Sequence, residues 1–305
     1  MYKSVFFIAT LAALSPAQAA LDKPALTNDL DYLLEGNTNN LPQNGGPYWG
    51  KWDDDLIPAD CKSIAESEDL NPADFEVYDI FYDDCADGWS FCRHKNSSND
   101  LEVLVNTFGR VPVRMRSWIR HILTIPGDNW AFNSNGNIAL SGTTSKNLDV
   151  ILHETGHSLD LLHAYGSEAL SSTDEWEEAY NKDSNVPDNY ARTNQVENVA
   201  QNTVVAIYDQ VVPGGFPGVQ PDYTKIQNQY TLLQDKAGNQ ILPGGTCDRH
   251  LENSDTVSKT SSSSSSKREA KKSRAVSHDP AFKGTYTNIV NEFTPFNTQD
   301  FHGGH

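Results

Sequence analysis

Apolar positions Leu148, Val150, Ile151, Leu152, Leu159, Leu161 and Leu162 predict one helix over about 146–164, with Thr144, Ser145 or Asn147 placed to cap its start. A second helical period runs from Gln195 to Val211 through Val196, Val199, Ala200, Val204, Ile207, Tyr208 and Val211, giving one buried face. Upstream, the residues from Gly136 to Gly142 read as a short strand, Leu101 to Thr107 as another, and Val113 to Leu123 as a helix. The stretch before Asp100 is loop-rich, punctuated by Pro42, Pro47, Pro58 and Pro72, and a Pro/Gly loop spans 213–218. No internal repeat is visible. The chain reads as α+β: a small sheet, a helix across it and a second helix beside that one.

Three compositional zones follow. Residues 1–20 read as a signal peptide, with Lys3, an apolar run from Val5 to Leu14 and Ala17-Gln18-Ala19 as the cleavage site. That run is too short to span a bilayer, and no later stretch is long enough to anchor the protein. Residues 21–251 suffice for one substantial core. Residues 252–305 turn serine-rich and basic, with Ser261 to Ser266 ahead of Lys267-Arg268, and are expected to be disordered; the basic pair suggests processing during export.

His153-Glu154-Thr155-Gly156-His157 lies inside the first helix. Four residues advance a helix by about 400°, so the two imidazoles leave one face a single turn apart and can share one tetrahedral metal. Water on zinc has its pKa lowered to about 7, and Glu154 stands beside the pair as a general base. A buried helix whose histidines are merely hydrogen-bonded is the bland alternative.

A catalytic zinc site takes three protein ligands. His163 has the spacing of a metzincin third histidine, but Asp160 occupies the glycine position at which such chains turn. If the helix continues, His163 rises about 9 Å past His157, out of reach. Glu197, in the first turn of the second helix, is the competing ligand and would complete a His-His-Glu set. It could instead serve only a capping box with Asn194. The acids Glu168, Asp174, Glu177 and Asp183 between the helices lack an apolar frame and read as a solvated connection.

The run from His153 to Asp160, followed by Tyr190-Ala191-Arg192-Thr193-Asn194-Gln195-Val196-Glu197, resembles the catalytic region of the anthrax lethal-factor-type zinc peptidases, over roughly sixty residues. The resemblance implies a zincin-like fold, zinc on His153, His157 and Glu197, Glu154 as general base and Tyr190 as oxyanion donor. It also implies a carboxylate one turn after the ligand, where this chain has Gln201. An amide orients a histidine but adds no charge, so weaker zinc binding is expected. Asp160 would hold a histidine or a backbone donor. The whole chain also resembles fungal secreted proteins of the conidiation-specific type, through the Trp49 to Cys61 segment, Asp84-Cys85 and Trp89-Ser90-Phe91-Cys92-Arg93.

The expected function is a secreted zinc endopeptidase acting on peptides or proteins. The alternatives are a metzincin using His163, or a secreted developmental protein that kept the fold without turnover. Between residues 21 and 258, 15 Lys and Arg face 37 Asp and Glu, which argues against nucleic acid or anionic membranes as partners. Four cysteines fit two disulfides, Cys85 with Cys92 and Cys61 with Cys247 being favoured among three pairings. Asn96-Ser97-Ser98 is a glycosylation sequon. His302 and His305 are read as terminal histidines with no fixed role.

Overall fold

The computed structural model describes residues 20–43, 47–260 and 287–288. The signal-peptide segment, the dibasic pair and the terminal histidines lie outside these.

Among the described residues the strands are β1 (Tyr48–Lys51), β2 (Leu56–Pro58), β3 (Phe75–Phe81), β4 (Trp89–His94), β5 (His121–Ile125), β6 (Ala131–Ser134), β7 (Asn137–Ser141), β8 (Thr256–Ser258) and β9 (Thr287–Asn288). The helices are α1 (Leu34–Asn40), α2 (Ala59–Ser67), α3 (Leu101–Arg110), α4 (Val113–Arg116), α5 (Leu148–Leu161), α6 (Asp174–Lys182), α7 (Gln195–Val211) and α8 (Gln227–Ala237). Helices α5 to α8 follow strands β1 to β7, and the fold is α+β. One mixed sheet of order β6-β7-β5-β4-β3-β1-β9 carries the core, larger than the small sheet expected. Its parallel pairs are β4 with β5 and β5 with β7; the others are antiparallel.

The expected helix from Val113 to Leu123 is corrected: it stops at Arg116, and His121–Ile125 is a strand. All five of its residues are buried, as befits a central parallel strand covered on both faces, and such strands lack the alternation that betrays a half-exposed one. Leu101 to Thr107 is a helix, not a strand. The Asp100 carboxylate accepts from the N–H groups of Glu102 at 2.8 Å and Val103 at 3.1 Å, and Leu104, Val105 and Phe108 form the buried helical face.

The sheet separates two apolar layers. On one face Trp89, Phe91, Phe108, Ile122 and Leu140 pack with α3, α5 and α7. On the other Val77, Cys92, Leu123 and Ala139 pack with Cys61 and Ile64 of α2. This division overturns the favoured cysteine pairing. Cys92 points to the α2 layer and bonds Cys61, while Cys85 lies in the opposite layer and bonds Cys247. A cross-link closing a loop of sequence separation 162 stabilises mainly by restricting the unfolded chain, typically by about 2–5 kcal/mol.

The chain stays paired past Leu251. Strand β8 is antiparallel to β2, and the buried Lys259 ammonium donates to the carbonyls of Asp54 and Phe75, each at 2.6 Å. Residues 256–258 of the segment expected to be disordered are thus paired with the fold. Among the described residues no helix is long and apolar enough to cross a membrane.

At the start of α5, the Asn147 side chain accepts from Asp149 N–H at 3.0 Å and Val150 N–H at 3.2 Å. Asp149 itself is buried and receives Asn37 Nδ2 at 2.8 Å, and burial pushes its carboxyl up to about 7. A folded pKa above the unfolded value of 3.8 favours the protonated form, so this contribution is complete below pH 3.8 and is lost as pH rises through 7. Asp149→Asn is expected to raise stability at pH 8 by about 1–3 kcal/mol, with little effect at pH 4, in urea titrations at the two pH values. An amide there can also donate to Asn37 Oδ1, which has no hydrogen-bond partner.

Candidate metal centre

Helix α5 runs from Leu148 to Leu161, within the expected 146–164 span, and α7 occupies the expected Gln195–Val211. The two pack closely because Gly156 faces α7: a Cβ there would meet Thr203 Oγ1 at 2.9 Å and Ala200 Cα at 3.3 Å. Thr203 is branched, and its hydroxyl bonds Val199 O at 3.0 Å, so it cannot easily yield. Gly156→Ala is expected to force the helices apart and destabilise by about 1–3 kcal/mol, measured by chemical denaturation.

At this crossing the Nε2 atoms of His153 and His157 lie 3.2 and 3.1 Å from the same Glu197 oxygen, Oε2. One ligand atom from each of the three residues falls within 4.8 Å of the others. Glu197 is seated by the helix start: its backbone N–H donates to Asn194 Oδ1 at 2.9 Å, the first half of the expected capping box. Its side chain, however, faces the histidines. Burial would raise its carboxyl, but the two imidazoles hold it down to about 2. For His153, burial opposes charge, and the Glu197 and Glu154 carboxylates outweigh it to raise the imidazole.

His153 Nε2, Glu197 Oε2 and Glu154 Oε2 are buried atoms without a hydrogen-bond partner, although nearly all such atoms in folded proteins have one. Partnerless His153 Nε2 and Glu197 Oε2, with His157 Nε2 3.1 Å from the same oxygen, form a donor set that fits zinc. The Glu154 carboxyl is raised by burial, which favours its holding a proton.

His163 stands apart. The helix runs on through Asp160 and the reversal falls at His163 itself, which takes a left-handed backbone with φ 63°, is exposed and lies outside the cluster. Asp160 is fully buried and accepts Ser171 N–H at 2.9 Å, so it holds a backbone donor and not a histidine. Of the acids between the helices, Glu168, Asp174 and Glu177 are exposed. Asp183 is not a solvated acid: it is buried and takes the backbone N–H groups of Asn228 and Gln229 at the start of α8.

Tyr190 is half exposed, and its ring centroid lies 5.5 Å from that of His153. Burial, with Glu197 and Glu154 adding, pushes its phenol up to about 12, so it remains a neutral donor at physiological pH. The strand expected over Gly136 to Gly142 is β7, Asn137–Ser141, and it is internal to the sheet. The edge strand is β6, whose Asn133 amide donates to Glu154 O at 2.8 Å and Ser158 Oγ at 2.7 Å, tying the strand to α5. Asn133 gives no sequence signal, being one polar residue in a short alternating run.

The chain is thus an α+β protein in which two crossing helices bring together two buried histidines and a part-buried glutamate. The chain belongs to the family of the conidiation-specific protein Con-13, whose pattern matches residues 30–303. It is similar to "Conidiation-specific protein 13" of Neurospora crassa, with 28% identity over 272 residues, covering 84% of this chain and 78% of the relative.

Proposed function

We propose that this protein is an exported zinc-dependent endopeptidase. The observation that carries the reading is the convergence of His153, His157 and Glu197 on one point with a buried Glu154 beside them. The two disulfides are compatible with an oxidising export route. The motif resemblance to lethal-factor-type peptidases supports the same roles.

Zinc, when bound, would supply a Lewis acid and lower the pKa of water. Glu154 takes the proton of the attacking water and later delivers it to the leaving amine; a carboxyl raised by burial is better matched to both transfers than an exposed one. The Tyr190 phenol, its ring 5.5 Å from that of His153 and partly in solvent, donates to the oxygen on which charge develops, an interaction that strengthens only as the barrier is climbed. Among the described residues β6 is paired on one side only, with β7, and an extended peptide can lie along the other.

A second reading has one observation in its favour: the relative's name marks a developmental stage and no chemistry. On that reading the protein keeps the metal site as a structural feature of a conidiation-associated protein. Elemental analysis of purified protein and a broad peptide-library assay, with and without chelator, separate the two. One zinc per chain with chelator-sensitive cleavage supports the peptidase. One zinc per chain without cleavage of any library member supports the second reading.

A further inference from the structure

Gln201 stands on α7 one turn after Glu197, and its amide is held at both ends. His153 Nδ1 lies 2.9 Å from Gln201 Oε1, and Gln201 Nε2 donates to Oδ2 of Asp188. Asp188 is buried, with 2% of its surface exposed, on the loop just before Tyr190. Its other oxygen, Oδ1, accepts Ala191 N–H at 2.8 Å, in the turn that follows Tyr190.

The chemistry of the three groups fixes a direction along this chain. An ionised carboxylate only accepts hydrogen bonds, so the NH2 end of Gln201 must face Asp188. The carbonyl end must then face His153, and Nδ1 must carry the imidazole hydrogen. In the neutral ring that leaves Nε2 with its lone pair toward the cluster, 3.2 Å from Glu197 Oε2. Reversing the amide would ask Nδ1 to accept and place the hydrogen on Nε2, where a cation would have to bind.

We propose that Asp188 is a positioning residue of the metal centre: through Gln201 it sets the tautomer of His153, and through Ala191 it holds the turn that carries Tyr190. The charge that Gln201 lacks is thus present one hydrogen bond further out. The consequence for catalysis rests on the peptidase reading; the effect on the imidazole does not.

The test exchanges acid and amide. In Asp188→Asn, with the oxygen of the new amide kept on Ala191 N–H, its NH2 group confronts the NH2 of Gln201 and turns that side chain round. In Gln201→Glu, two carboxylates confront each other. In the double variant, D188N/Q201E, every hydrogen bond closes again: the amide at position 188 donates to the carboxylate at position 201, which accepts from His153 Nδ1. Nitrogen-15 NMR of histidine-labelled apo-protein should show His153 Nδ1 carrying a hydrogen in the wild type and the double variant. In Asp188→Asn that signature should shift toward Nε2.

Zinc affinity, from competition with a fluorescent chelator, should fall about 10–100-fold in Asp188→Asn and recover to at least within a few-fold of wild type in the double. A role in fold stability alone would not move the tautomer. The proposal is overturned by a wild-type His153 whose Nδ1 carries no hydrogen, by an Asp188→Asn variant that keeps wild-type tautomer and affinity, or by a double variant no better than Asp188→Asn. If a single variant does not fold, the wild type and the double still decide between these outcomes. Wild-type protein that binds no zinc sinks the proposed function, while the tautomer measurement continues to judge Asp188.

Discussion

Alanine in place of Glu197 is expected to leave the purified protein without stoichiometric zinc, whereas alanine in place of His163 leaves its zinc unchanged. Losing a hydrogen-bond partner of a metal ligand already costs about 10–100-fold in affinity, so losing the ligand should cost more than ~100-fold. The geometry separates the two residues. Glu197 Oε2 touches both imidazoles, while His163 sits past the end of α5 on an exposed left-handed residue. Zinc per chain by elemental analysis, after dialysis against a weak chelator, reads the difference. Equal zinc content in the two variants would remove Glu197 from the site.

Glu154→Gln is the complementary case, with catalysis lost and metal retained. The amide is close to isosteric, and its backbone carbonyl still receives Asn133 from β6. It cannot take a proton from water, and positioned acid–base groups typically contribute ~10²–10⁴-fold in rate. Cleavage of a fluorogenic peptide should fall by at least ~100-fold at unchanged zinc content. Residual cleavage within a few-fold of wild type would mean that another group does the proton transfer. Together the two variants divide the centre into a part that holds the ion and a part that handles protons.

The elements that frame the site were legible because their signals are local. Helices α5 and α7 announce themselves by a sustained helical period and by Asn147 and Asn194 at their starts. The histidine pair one turn apart needs no tertiary information. Glu197 could be singled out because it stands in the first turn of α7.

What stayed hidden depends on contacts between distant segments. Leu101, Val103 and Val105 alternate as a strand would, and only the Asp100 cap with Leu104 and Phe108 tips the segment to helix. Strand β5 is buried on both faces and so shows no alternation. Cysteine pairing depends on which side of the sheet each thiol lies, and Cys61, remote in sequence from β4, proves to share the face of Cys92. Asp188 is one acid among many in a polar stretch. Its role arises only when the loop before Tyr190 folds over α7 and places the carboxylate beside Gln201.

The Cys85–Cys247 bond joins two points that bracket both α5 and α7. A backbone cut at any surface loop between them, including one the protein made in itself, would leave the fragments covalently joined. Such a nicked molecule would run as an intact chain on a non-reducing gel and come apart only when a thiol reagent is added. Migration without a thiol reagent therefore does not report whether the backbone is whole.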